Sequence, residues 1–123
     1  MTPLERLKFL RRYFRKVPAK VVNLERWECG TQACLAGHAL EIPEFQAEGF
    51  TRQRDRDGSK LWPAYKDLFG FAALEAFFGT SVPFERRGEA PCDPEIPAAR
   101  PRLSDKGLAL ARLDRAIMEA PTQ

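Results

Sequence analysis

The sequence predicts a mainly α fold: a compact bundle of four to five short helices around a phenylalanine-rich core, with a small β-hairpin inserted. Three observations predict it. Apolar side chains recur at helical spacing from Leu7 to Val17 and again from Leu110 to Ile117, and between them a segment alternates around an Asp-Gly turn signal. The chain's 123 residues fit one domain, residues 1–123, long enough to bury a core without staples. Nine phenylalanines in a 44% hydrophobic composition make it globular and not disordered.

The first helix opens with Thr2 and Glu5 spaced as a capping box around Pro3, whose missing N–H costs nothing at the first helical position. On a wheel of about 100° per residue, Leu7, Phe9, Leu10, Tyr13, Phe14 and Val17 fill one arc. Lys8, Arg11, Arg12, Arg15 and Lys16 fill the opposite arc, and Pro18 is expected to stop the helix. VVNLERW then reads as an extended segment inserting Val22, Leu24 and Trp27. A short helix is expected from Thr31, a good N-cap, to about Leu40, ended by Pro43.

GFTRQRDRDGSKLW reads as a hairpin turning at Asp57-Gly58, with Phe50, Arg52, Arg54 and Arg56 on one side of its first strand. Neither side is clearly apolar, so the hairpin is expected to project from the body. PAYKDLFGFAALEAFFG reads as two short helices closed by Gly70 and Gly79, with Leu68, Phe69, Phe71, Leu74, Phe77 and Phe78 central to the core. Residues 80–103 hold five of the ten prolines, a connection that excludes a helix or central strand. Ser104 caps a last helix with Leu110, Leu113 and Ile117 at core spacing.

The charge layout narrows the function. Residues 1–20 hold seven cations against one anion, while the rest of the chain is mildly acidic. An anionic partner is therefore expected on the outer cations of the first helix, Lys8, Arg11, Arg12, Arg15 and Lys16, joined by Arg52, Arg54 and Arg56 of the hairpin. Two partners suit them: a protein with an acidic surface, or nucleic acid. No apolar run approaches the ~20 residues of a membrane span, and the N-terminus lacks a signal peptide's apolar stretch. An odd cysteine count argues against a secreted disulfide framework, so a reducing cytoplasm is expected.

WECGTQACLAGHAL holds two of the three cysteines and the single histidine. Cys29, Cys34 and His38 are spaced C-x4-C-x3-H, and Cys92 would complete the Cys3His set that structural zinc accepts. A thiol nucleophile with His38 as base is the other chemical reading. Against both, Cys92 lacks a neighbouring cysteine, and no third residue orients the histidine ring. Ala33, Ala36, Gly37 and Ala39 fit a thin helix that lets a neighbour approach, with cysteine as a small buried apolar residue and one nitrogen of His38 satisfied locally. Neither a cofactor nor an enzymatic activity is expected.

CGTQACLAGHAL after a tryptophan resembles the C-G-T-x-A-C-x-A-G-[WH]-A signature of small uncharacterised proteins of bacteria and their phages. Leu68-Phe69-Gly70-Phe71 and the Ala109–Ile117 segment resemble later parts of that pattern. The resemblance implies a phage or mobile-element setting and no catalytic residues. Together with the charge layout, it leads to the expectation of a non-enzymatic cytoplasmic binding protein that occludes a host protein or complex, a defence complex for example.

Overall fold

The computed structural model describes residues 1–24, 28–29, 32–54, 57–58, 61–96 and 104–121, with only the backbone of residues 28, 29, 32, 33 and 61. Five α-helices are described: α1 (Pro3–Phe14), α2 (Leu35–Ala39), α3 (Pro43–Ala47), α4 (Phe71–Phe78) and α5 (Asp105–Glu119). The short strands β1 (Glu28–Cys29) and β2 (Gln32–Ala33) pair with each other. Strands β3 (Thr51–Arg54), β4 (Leu61–Tyr65) and β5 (Leu68–Phe69) form an antiparallel sheet in that order. The fold is mainly α, as expected, but the inserted hairpin carries a third strand.

The expected capping box closes α1: Thr2 Oγ1 accepts from Glu5 N at 3.1 Å, and Glu5 Oε1 accepts from Thr2 N at 2.9 Å. Leu7, Leu10 and Phe14 are fully buried, each contributing roughly 2 kcal/mol of transfer free energy. Phe9 and Val17 only flank this face, and Tyr13 is exposed. The helix ends before the expected stop. Pro18 pushes the preceding residue away from helical dihedrals, and the chain closes in tighter turns, Lys16 N to Tyr13 O and Val17 N to Phe14 O.

The cysteine-rich segment departs further from expectation. Its helix starts at Leu35 with Cys34 as N-cap, because residues up to Ala33 pair as β1 and β2. Pro43 does not end a helix but begins α3 at its first position, where its fixed φ is favourable. The thin-helix expectation holds for α2, whose Ala36, Gly37 and Ala39 are buried while α2 packs against the 3-10 turn Val82–Phe84. Val22 and Leu24 are buried as expected; Trp27, Thr31 and Arg56 lie outside the described residues.

The segment expected as two helices is strand, tight turn, strand and one helix. Lys66, at φ 56°, turns β4 into β5, and the register pairs Ala64 with Phe69. Pro63 is tolerated in the middle strand because its N side faces the end of β5. Its carbonyl accepts from Gly70 N at 2.8 Å, but it has no N–H to return to Gly70 O. That oxygen instead receives Ala73 N and Leu74 N, so the sheet stops and α4 starts at one residue. Gly70 (φ 69°, ψ −137°) holds a conformation open to glycine. At the other end Gly79 (φ 80°) caps α4 against α1, and a Cβ there would lie 3.3 Å from that of Pro3.

The base of the sheet is packed onto the body, while β3 is largely exposed and residues 55, 56, 59 and 60 of the expected projecting hairpin lie outside the described residues. Phe50 is fully buried, its ring stacked 4.5 Å from Phe77, while Tyr65 meets Phe77 edge-on at 4.9 Å. Phe45, Phe50, Phe77 and Phe78 form the centre of the core. Leu68, Phe69 and Phe71, expected inside, are instead each about 40% exposed, because α4 buries Ala73, Leu74, Phe77 and Phe78. Phe69 lies 6.2 Å from Trp62.

The described part of the proline-rich connection, up to residue 96, is fastened down. It forms 3-10 turns at Val82–Phe84 and Asp93–Glu95 and buries Pro83, Phe84, Ala90 and Asp93. In α5, capped by Ser104 as expected, Leu108, Ala109, Arg112 and Leu113 are buried, while Leu110 and Ile117 are half-buried.

Candidate functional site

The chemical readings of the cysteine cluster rest on four side chains, three of them described; Cys34 and His38 lie one turn apart on α2, where His38 N donates to the Cys34 carbonyl at 3.1 Å. Cys34 is buried at the α2 N-cap. His38 is half-buried, its Nε2 donating to the Val21 carbonyl at 3.1 Å and its ring edge-on to Phe14 at 5.6 Å. One ring nitrogen is thus satisfied locally, as expected. Cys92 lies in the proline-rich connection, and the side chain of Cys29 is outside the described residues. Among the described residues, no three His, Cys, Asp or Glu side chains are grouped as a metal ion would require.

Arg112, missed by the sequence reading, is a buried and fully engaged charge. At 1% exposure its Nε and Nη2 grip the two oxygens of Asp93 at 2.8 and 2.7 Å. Its remaining donors reach the carbonyls of Glu85 (2.5 Å) and Arg86 (2.8 Å). Burial works to raise the Asp93 carboxyl, but the hydrogen bonds and charge of Arg112, helped by the Gly88 and Ala90 backbone, hold it below the ordinary carboxylate range. Arg112 therefore clamps the connection onto α5. Its position was legible, since 108, 109, 112 and 113 form one helical stripe.

Beside this clamp lies a cleft of about 380 Å³ between the start of α1, the end of α4 and the end of α5. Leu4, Leu7, Phe78, Val82 and Ala116 line it, with Cys92 and Arg112 on its wall. Arg112 is consumed by Asp93, and Arg115 by Glu95 and Glu119. Burial foremost, and then Asp93, push the Cys92 thiol above its usual range, so it is a poor nucleophile.

The structure describes seven of the eight expected partner-binding cations, Arg56 lying outside the described residues. Lys8 and Arg12 on α1, and Arg15 and Lys16 directly after it, are exposed and have no ion pair among the described residues. Arg12 lies over the Phe9 ring at 5.6 Å. Arg11 differs: both its Nε and Nη2 engage the carboxylate of Asp114 on α5. On the sheet, Arg52 is half-buried, bonded to Glu41 (2.5 Å) and the Gly37 carbonyl (3.3 Å), and Arg54 donates to the Gly58 carbonyl at 3.0 Å. Arg11 and Arg52 are thus matched by carboxylates, whereas Arg54 meets a neutral carbonyl and Arg56 lies outside the described residues.

Helix α1 is firmly seated. Arg6, just 8% exposed, ties its inner edge to Phe77 O (2.9 Å) and Glu48 (2.8 Å) and stacks 4.1 Å from the Phe77 ring. Its place was also readable, because position 6 falls inside the apolar arc of the wheel. The chain matches no family model, no curated protein and no solved structure. Among the described residues no helix is long and apolar enough to cross a membrane.

Proposed function

We propose that this protein is a non-enzymatic binding module that docks an acidic protein surface onto the outer face of α1 and so occludes its partner. One observation carries the reading: Lys8 and Arg12 on the outer side of α1, and Arg15 and Lys16 directly after its end, are exposed, and none is neutralised by an ion pair among the described residues. Exposed Tyr13 and half-buried Phe9 flank these cations, and aromatic residues beside arginine are the side chains that anchor protein interfaces. The likeness of the cysteine segment to bacterial and phage proteins supplies the setting, a cytoplasmic host protein or complex such as a defence complex.

The test reverses these charges. Lys8→Glu, Arg12→Glu and Lys16→Glu together are expected to abolish binding to a polyglutamate peptide at low salt while leaving the unfolding free energy in urea within about 1 kcal/mol of wild type, as exposed substitutions do. Retained binding rejects the surface. Direct nucleic-acid binding is the competing outcome: a 20-base-pair duplex bound more tightly than the peptide, with a log–log salt slope near −3.6 for four phosphates, transfers the reading to DNA.

A further inference from the structure

We infer that the docking surface crosses from α1 onto α5, with Lys106 as a further binding cation and Arg11 held in reserve by Asp114. This rests on the proposal that α1 docks an acidic partner, and it names where that surface ends and how its strength is set. Lys106, Leu110 and Asp114 recur at four-residue steps on α5, which packs against α1. That spacing puts one cation and one anion at the two ends of the seam.

Lys106 stands in the first turn of α5, where the helix dipole disfavours a cation. Its stem reaches across the seam instead, and Nζ donates to the Arg15 carbonyl at 2.7 Å, at the C-terminal end of α1 where a cation is favoured. An ammonium has three donors, and this contact uses one. The charge is therefore fixed beside Arg15 and Lys16, extending the cationic surface. The neighbouring first-turn acid, Asp105, does not cancel it, for its two oxygens are occupied by Arg87 Nη1 (2.9 Å) and Leu24 N (3.0 Å).

Arg11 is the second element. Its guanidinium borders that surface but is matched to Asp114, whose side chain is 55% exposed. Such a solvent-screened pair is weak, so a partner offering several carboxylates displaces Asp114 at little cost. The remaining charge on that part of α5, Arg115, is directed to Glu95 and Glu119 and takes no part. Removing Asp114 should consequently strengthen docking, which no purely structural role of the pair predicts.

The experiment titrates polyglutamate peptide into wild type, Lys106→Gln and Asp114→Asn, with thermal melting as a folding control. Lys106→Gln is expected to weaken binding and Asp114→Asn to strengthen it, each about two- to fivefold, with both shifts shrinking at 0.5 M salt. The Asp114→Asn gain should vanish in an Arg11→Gln background. If the triple charge reversal abolishes binding but Lys106→Gln and Asp114→Asn leave it unchanged, the extension onto α5 is wrong and the α1 surface stands. A gain that persists without Arg11 overturns the masking role. If the triple reversal itself leaves binding intact, both readings fall.

Discussion

Replacing Asp93 by Asn tests the clamp that holds the connection to α5. The two side chains have nearly the same shape, so the change removes a charge and one acceptor. In the native arrangement Asp93 Oδ2 accepts from both Arg112 Nη2 (2.7 Å) and Gly88 N (2.9 Å), and Oδ1 from Arg112 Nε (2.8 Å). An asparagine presents an NH2 at one of these places. Turned one way it faces two donors, turned the other it faces Nε, so a donor is left unsatisfied in either orientation. Breaking a buried ion pair from one side costs about 3–5 kcal/mol. The lower end applies, because the carbonyls of Glu85 and Arg86 still receive the guanidinium. A loss of about 3 kcal/mol is a large part of the 5–15 kcal/mol typical of a domain.

Urea unfolding followed by tryptophan fluorescence reads this as a midpoint lowered by about 1–2 M with little change in slope. Arg115→Gln is the control, because Arg115 pairs with exposed Glu95 and Glu119 and its loss should leave the midpoint close to wild type. The pH dependence has a defined sign. The carboxyl of Asp93 is depressed in the folded protein, so its stabilisation is complete above the unfolded value of about 3.9 and is lost as pH falls through the folded one. The gap between wild type and Asp93→Asn should be full at neutral pH and close below about pH 4. An Asp93→Asn midpoint no lower than that of Arg115→Gln, or a gap that widens on acidification, refutes the reasoning.

Two further outcomes follow from local geometry. Gly70→Ala forces a side chain into φ 69°, ψ −137° at the point where β5 becomes α4, and should destabilise by about 1–3 kcal/mol in thermal melts; a melting temperature equal to wild type would show that the junction relaxes freely. Cys92, its thiol raised first by burial and then by Asp93, should react with a disulfide reagent more slowly than a free thiol at pH 8, with peptide mass separating it from the other cysteines; a full free-thiol rate at pH 7 would count against that environment.

What was legible in the sequence divides by the range of the interactions involved. The capping box of α1 and the Ser104 cap of α5 are written in residues three apart, and both hold. The failures arise where one local signal has two physical outcomes. Pro43 after a helical run can end that helix or start the next, and what decides is that Leu40 N and Ile42 N close onto Ala36 and Ala39 carbonyls, leaving Ile42 as the N-cap of α3. Gly70 can close a helix or open one, and the outcome depends on Pro63, seven residues away, having no N–H to give. The DLFGF segment reads as core by composition, yet the β4–β5 turn at Lys66 sets Leu68 and Phe69 on an edge strand and leaves them half outside.

The candidate surface follows the same division. Exposure of the α1 cations was readable from the wheel, since it depends on a single helix. Their availability was not, because it depends on which anions other elements deliver. Asp114 arrives from α5 to take Arg11, and Glu41 arrives from the turn after α2 to take Arg52. The described members of the expected set thus separate according to which carboxylates reach them from other elements. The same pairing converts Arg6 and Arg112, which a charge count would assign to the surface, into interior fasteners. A net charge taken over residues 1–20 therefore overstates what a partner meets, because Arg6 and Arg11 are neutralised from elsewhere in the chain. The force available for docking is set by those cations for which the fold supplies no carboxylate among the described residues, and on α1 and directly after it these are Lys8, Arg12, Arg15 and Lys16.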